Sequence, residues 1–241
     1  MDLAFYAAAA GAAAHQKRIN VVSNNLSNIS TAGFKKEDAV FSDLIYNELN
    51  PPAQEGTQLT ASSGSVIDKT NTDFSQGNLA PSGLPHDYAL KGEGFFALQN
   101  PISGEITYTR DGTFELSEQA DGTFLLVSQN GKRVLDSENQ PIVVTNETKE
   151  EKQPLGVFRF RTIDGMLHLS NNEFMPTEKN GEAIPVADGA LRTLQYYTEE
   201  SNVNLADEIT KMIEAQRAYQ YALKMVATTD EIETTINGLR N

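Results

Sequence analysis

Residues 3–34 read LAFYAAAAGAAAHQKRINVVSNNLSNISTAGF, and the reading of this stretch decides the fold. Phe5, Ala8, Ala12, His15, Ile19, Val22, Leu26 and Ile29 recur at spacings of three and four, which lines them along one edge of a helix. The pattern predicts a helix over residues 3–28, roughly 37 Å long at about 1.5 Å per residue. Its alanines let a neighbouring helix approach closely. Ser27, Asn28, Ser30, Thr31 and Gly33 crowd together at its end and stop it. A second stripe at the far end of the chain, Leu205, Ile209, Met212, Gln216, Tyr219, Leu223 and Val226, keeps the same rule. There the predicted helix starts near Val203, with Asn202 as its cap and Asp207 and Glu208 suited to its positive first turn, and runs towards Leu239. After Val226 the stripe moves to Met225, Thr229, Ile232, Ile236 and Leu239, as when a helix changes its packing partner. Two such helices, too far apart for a short hairpin, hide their stripes against each other or against other copies. That arrangement suggests an assembling subunit and not an enzyme.

Between the ends the pattern is β. Six Asp-Gly or Asn-Gly pairs begin at Asp111, Asp121, Asn130, Asp164, Asn180 and Asp188, and such pairs favour two-residue hairpin turns. They separate apolar runs at Ile106 and Tyr108, Phe114 and Leu116, residues 124–127, residues 142–144, Val157, Phe158 and Phe160, and Leu167 and Leu169, spaced as in a compact sandwich or barrel. Phe158 and Phe160 are expected inward, with Arg159 and Arg161 outward. Residues 34–49 keep Phe41, Leu44 and Ile45 apolar until Asn50, Pro51 and Pro52 end the segment, and residues 53–65 read as an extended connector. The expected fold is α+β: N- and C-terminal helices, residues 1–34 and 200–241, pair in a discontinuous coiled-coil-like domain. Residues 35–69 connect it to a central all-β domain, residues 70–199.

Composition excludes several functions. The 241 residues carry 33 acidic against 19 basic side chains, a formal charge of -14, which repels nucleic acid and anionic lipid alike. There is no cysteine, so disulfides, thiolate nucleophiles and sulfur-ligated metals are out, and an oxidising compartment does no harm. The alanine-rich opening follows Asp2 with no basic residue, unlike a secretory signal, and no stretch is apolar for the roughly 20 residues of a membrane span. His15, His86 and His168 are scattered, so no metal site is expected. No cofactor is expected either: Gly92, Gly94 and Ala97 fit a loose nucleotide pattern, but the Phe95–Phe96 strand after them cannot open a helix. Gly92, Gly94, Phe95 and Phe96 read as a glycine-flanked strand, and Tyr108, Arg110, Asp111 and Gly112 as a strand running into a hairpin turn, with Tyr108 and Arg110 as cross-strand partners. Glu214 and Arg217, three apart, pair within the last helix or reach a neighbour.

Four blocks carry a resemblance. VSNNLSNISTAGF over residues 22–34, followed by Lys35, resembles the N-terminal signature of the flagellar rod and hook axial protein family. DFSQGNLAPSGLPHD (73–87), LKGEGFFAL (90–98) and YTRDGTFEL (108–116) resemble its middle signatures, and ESNVNLADEITKMIEAQRAYQYALKM (200–225) its C-terminal one. The chain length resembles that of the basal-body rod members, proximal or distal. The resemblance implies terminal helices packed in a tubular core, a β domain outside them, and delivery through the flagellar type III export apparatus to a basal body beyond the cytoplasmic membrane. It implies further copies of the chain and other rod and hook proteins as partners. It also implies an assembly interface at Phe5, Ile19, Val22, Asn24, Asn25, Leu26, Asn28, Thr31, Gly33 and Phe34, and at Asn202, Val203, Ile209, Met212, Glu214, Arg217, Tyr219 and Leu223. Two rival readings are a secreted surface-binding module whose helices only dimerise, and a hydrolase using Asp111 or Glu115, for which no carboxylate pair is nominated by spacing.

Overall fold

The computed structural model describes residues 3–43, 46–48, 60–62, 64–119, 122–145, 148–186 and 192–239. Leu44, Ile45, residues 50–52, most of the 53–65 segment and the turns at Asp121 and Asp188 lie outside the described residues. The chain is α+β and divides into two compact units. One comprises residues 1–27, 37–71 and 204–241; the other comprises residues 28–36 and 72–203. Residues 37–71 therefore group with the helices, and residues 28–36 with the strands.

The helical unit is built on α1 (Leu3–Ser27) and α2 (Leu205–Leu239). They run antiparallel, as Asn25 meets Glu208 and Arg18 meets Glu214. The cap of α2 is Asn204 and not Asn202: its Oδ1 accepts from Ala206 N at 3.0 Å and Asp207 N at 3.4 Å. Asp207 and Glu208 sit in the first turn, where the helix dipole favours acid. The side chains of α2 turned inward are Glu208, Met212, Ala215, Tyr219, Ala222, Val226 and Thr229, at alternating spacings of four and three. Leu205, Ile209 and Leu223 of the expected stripe are exposed instead. Small side chains explain the choice: Ala215 on α2 and Ala12 and Ala14 on α1 are buried, which permits close approach. The unit is completed by a strand pair, Glu37–Asp43 with Ser65–Thr72, and a second pair, Tyr46–Glu48 with Thr60–Ser62. Phe41, on the first of these strands, lies 5.7 Å from the His15 ring.

The β unit centres on the strand Phe95–Gln99, whose first four residues are buried. Along one edge it pairs with Ile106–Thr109; along the other it is shared, Phe95 and Phe96 pairing with Val157–Arg159 while Leu98 and Gln99 pair with Arg133–Val134. A strand buried on both faces and both edges must be apolar throughout, which is why FFAL does not alternate. Ten strands join this sheet among the described residues, with every register antiparallel. Phe95 gathers Phe74, Phe160 and Phe174 edge-on within 5.5 to 6.1 Å, and Phe96 meets Phe114 at 5.3 Å. Phe158 and Phe160 are buried, with Arg159 and Arg161 exposed, as expected.

Two shorter pairs close the unit. Arg192–Gln195 pairs with Tyr88–Lys91, and Tyr197–Glu199 with Leu79–Pro81. Between them Tyr196 holds a left-handed φ of 67, its N–H donating to Asp87 O and its carbonyl accepting from Ser82 N.

The expected two-residue hairpin turns are corrected where they are described. At Asn130, Asp164 and Asn180 only the following glycine has positive φ, and Ser128 pairs with Lys132 across a three-residue loop. Asp111-Gly112 is not a hairpin at all. Neither residue has positive φ, and the flanking strands pair elsewhere, Ile106–Thr109 with Phe95–Gln99 and Phe114–Glu118 with Phe124–Ser128. Glycine is needed there for another reason, since a Cβ on Gly112 would lie 1.7 Å from Tyr88 O. Gly112→Ala is expected to destabilise the chain by about 3 kcal/mol, read as a lower urea midpoint; an unchanged midpoint would show that the strand ends yield freely.

Candidate functional site

The turn after α1 carries residues 28–36 into the β unit. Gly33, at φ 66, sits so tightly on the backbone of Arg110 and Asp111 that a Cβ would come within 2.4 Å of Asp111 N, and its N–H donates to Glu199 O at 2.7 Å. Phe34 is buried with its edge towards His168, which stacks on Phe174. Asn172 Nδ2 donates to Ala32 O at 3.3 Å.

Next comes Lys35, whose ammonium is fully buried. It donates to Glu199 Oε1 at 2.5 Å and Ser75 O at 2.7 Å. The other Glu199 oxygen accepts from Arg110 Nη1 at 3.3 Å, and Gly77 N donates to Oε1 at 2.9 Å. Arg110 lies with its guanidinium 5.4 Å from the Phe95 ring centre. Burial pulls the Lys35 pKa below its ordinary value, and the Glu199 carboxylate offsets part of that. An ammonium and a guanidinium around one buried carboxylate, backed by two main-chain groups, form an ionic knot in which both carboxylate oxygens are engaged, while Arg110 Nε has no hydrogen-bond partner among the described residues. Beside it Asn202 accepts from Lys36 N at 2.8 Å and donates to Asp73 O at 2.7 Å, while Lys36 pairs with Asp73 at 3.3 Å. Asn202 is thus a main-chain clamp.

In the helical unit the corresponding piece is Asn25, 0% exposed. Its Oδ1 accepts from Glu37 N at 2.9 Å, and its Nδ2 donates to Glu37 O at 2.8 Å and Glu208 Oε2 at 3.0 Å. Glu208 is buried too, and its second oxygen takes Lys211 Nζ at 2.8 Å; the same ammonium reaches Asp38 at 2.8 Å. One amide therefore ties the first strand of the unit to both helices.

The expected interface residues divide by burial. Val22, Asn25, Gly33, Phe34 and Val203 are buried within their own units, and Phe5, Ile19, Leu26, Asn28, Thr31, Asn202, Met212 and Tyr219 are half-buried. Asn24, Ile209, Glu214, Arg217 and Leu223 face outward. Thr31 Oγ1 donates to Asn28 Oδ1. Glu214 reaches Arg18 at 3.5 Å and not Arg217. Tyr108 packs on Phe158 and Phe160, and Arg110 finds Glu199 rather than Tyr108. Gly92 and Gly94 both have positive φ, and Gly92 N donates to Gln76 Oε1. Asp111 accepts from Thr113 N and Oγ1, while burial raises its pKa. Sequence reasoning passed over Glu199 and Lys211 and read Glu208 only as a first-turn acid and Lys35 only as the residue after a signature, because isolated charges read as solvated. The available signal was position: Lys35 directly follows the Gly33-Phe34 turn, and Glu199 directly precedes the last signature block. Among the described residues no group of three or more His, Cys, Asp or Glu is placed to hold a metal, and no helix is long and apolar enough to cross a membrane.

Two tests follow from this geometry. Lys35→Met removes one partner from a buried carboxylate and is expected to cost about 3–5 kcal/mol in chemical unfolding; a loss below about 1 kcal/mol would mean that the knot holds nothing. His15 and His86 both have a buried Nδ1 without a hydrogen-bond partner among the described residues, and burial first, then Arg18 for His15 and Lys149 for His86, lowers their pKa from 6.5, with Asp87 opposing for His86. Each histidine binds fewer protons folded than unfolded just below 6.5, so stability is complete above that pH and declines as pH falls through the folded pKa. Urea midpoints are expected to drop between about pH 7.5 and about pH 5.5, and His15→Gln to flatten that drop; equal slopes would contradict the assignment.

Comparison with known proteins gives three matches along the chain. Residues 5–35 match the family "Flagella basal body rod protein", residues 89–152 the "Flagellar hook protein FlgE/F/G D1 domain", and residues 194–239 "Flagellar basal body rod FlgEFG protein C-terminal". The flagellar basal-body rod protein FlgG of Borreliella burgdorferi is 34% identical over 268 aligned positions, covering 100% of this chain and 99% of its own. FlgG of Buchnera aphidicola subsp. Baizongia pistaciae is 33% identical, covering 95% and 96%. The basal-body rod protein FlgF of Mesorhizobium japonicum is 26% identical, covering 95% and 94%.

Proposed function

The chain belongs to the flagellar basal-body rod protein family and is a structural subunit of the rod; from that premise we propose that it polymerises through its terminal helices into a tubular shaft that transmits torque. The observation carrying this reading is α2, an antiparallel partner of α1 on one face that still presents Leu205, Ile209, Ile213, Leu223, Ile232 and Ile236 to solvent. Exposed rows of that size on a helix mark a surface that other molecules cover. The alternating inward spacing supports a coiled-coil-like pairing of α1 with α2. Its partners are other copies and other axial proteins of the flagellum, consistent with the hook and rod families matched. The outward-facing Asn24, Ile209, Glu214, Arg217 and Leu223 are assigned to the assembly surface. Asn25 is buried within the helical unit that carries this surface, and Gly33 and Phe34 are buried within the β unit. The absence of cysteine suits passage through the type III export apparatus to the far side of the cytoplasmic membrane.

The family is one of structural proteins; Asp111 is engaged by Thr113, and Glu115 stands exposed on a strand. The surface-binding alternative finds no support among the relatives. Greater identity to the FlgG relatives above than to the FlgF relative, 33–34% against 26%, favours the FlgG type. A labelled chain is expected to be seen in the rod of isolated basal bodies by electron microscopy, and a chain lacking residues 203–241 is expected to be missing from it. Basal bodies with complete rods built from the shortened chain would overturn the reading.

A further inference from the structure

Most of the exposed apolar side chains of α2 fall in two rows, with Ile213 on the outer ridge between them and Ile236 beside the second row. At about 100° per residue, Leu205, Ile209 and Leu223 lie on one flank and Tyr221, Met225, Ile232 and Leu239 on roughly the opposite flank, with the seam to α1 between them on the inner side. Both rows are open, at 44–50% exposure for the first and 55–83% for the second. The first occupies the upper half of the helix and the second the lower half. Their spacings agree. Leu205, Ile209, Gln216 and Leu223 step by four, seven and seven, and so do Tyr221, Met225, Ile232 and Leu239, sixteen residues later. Gln216 is the one polar member.

Three further observations bear on what covers them. The pairs Asn25–Glu208 and Arg18–Glu214 have residue numbers adding to 233 and 232, so the first residue of α1, Leu3, falls level with about residue 229. The last turns of α2, from Asp230 to Leu239, therefore have no α1 opposite them. Charge divides in the same way: on the outer ridge between the flanks, Arg217 and Lys224 stand in the upper part and Glu231 in the lower, and residues 225–239 carry no basic side chain. A shift of sixteen residues brings Glu231 level with residue 215, within one helical turn of Arg217 and on the same ridge.

We propose that the lower flank of α2 packs on the upper flank of α2 in a second copy of this chain, parallel and shifted by sixteen residues, with Tyr221 against Leu205, Met225 against Ile209, Ile232 beside Gln216 and Leu239 against Leu223. The shift displaces successive copies by about 24 Å along the helix axis. The two flanks differ and face opposite ways, so the contact is heterologous: each copy that joins leaves one flank open on either side of the array, and the displacement keeps a ring from closing. Glu231 and Arg217 at the rim set the register and favour the forward pairing over a self-matched one. This inference rests on the rod reading and names its contact.

The chain has no cysteine, so introduced ones are unique. In flagellated cells carrying Ile209→Cys and Met225→Cys in one chain, mild oxidation is expected to give a ladder of linked multimers, and either substitution alone to give none. Rods that contain the chain but yield no ladder overturn the contact while leaving the rod reading intact; a chain missing from the rods removes both. A second measurement uses purified full chains. Ile209→Asp and Ile232→Asp change exposed side chains, so folding is expected to persist, and each alone is expected to block polymerisation. Mixed in equal amounts, they are expected to form one-to-one dimers by sedimentation, because each retains the flank that the other lacks. Polymerisation of either variant at the unsubstituted level, or a mixture that stays monomeric while the unsubstituted chain polymerises, overturns the proposal.

Discussion

A carboxylate buried away from water has to be met by positive charge and by hydrogen-bond donors, and Glu199 sets that requirement for the β unit. It is met by segments that lie far apart in the chain: Lys35 follows the first helix, Gly77 comes from the loop before the sheet, and Arg110 leaves the strand beside the central one. Because each donor must arrive within hydrogen-bond distance of one carboxylate, the knot fixes where the turn after α1 lands. Gly33 belongs to the same constraint, since its N–H is spent on Glu199 O and its missing side chain lets the two backbones touch. An apolar cluster of equal volume can hold as well, whereas removal of one partner alone leaves a buried charge uncompensated.

The helical unit solves a similar problem with an amide set beside an ion pair. Asn25 presents an acceptor and two donors to the Glu37 peptide and to Glu208, bonding the Glu37 N–H and C=O as a neighbouring strand would. Glu208 can occupy the seam between helices because Asn25 and Lys211 use both its oxygens. These polar residues hold the unit together internally, and the large apolar residues left over on α2 remain outside. The usual division of labour between core and surface is thus partly inverted along this helix.

Much of the architecture was legible in the chain. Periodicity located both helices to within a residue or two, since nothing in either interrupts a 3.6-residue repeat, and the glycine-flanked FFAL run stood out as a strand. Less legible was which edge of α2 turns inward: hydropathy pointed to Leu205, Ile209 and Leu223, whereas close approach of alanines selected Ala215 and Ala222. Asn202 and Asn204 are both good caps on local grounds, and only the demand of Lys36 N and Asp73 O for partners separates them. Asp111-Gly112 misled for a related reason. A glycine required by a carbonyl overhead leaves the same trace in sequence as one required by a turn. Lys35 and Glu199, 164 positions apart, carry no local pattern that could have joined them.

Tyr196 separates two strand pairs with a single left-handed residue, Gln195 opposite Tyr88 on one side and Tyr197 opposite Pro81 on the other. Side chains alternate faces along a strand, so adding or deleting one residue between Gln195 and Glu199 would turn the glutamate to the other face and leave Lys35 and Arg110 without their anion. This short link is therefore closed to length variation even though Tyr196 and Tyr197 are themselves exposed, and evolution is free there to change chemistry but not count.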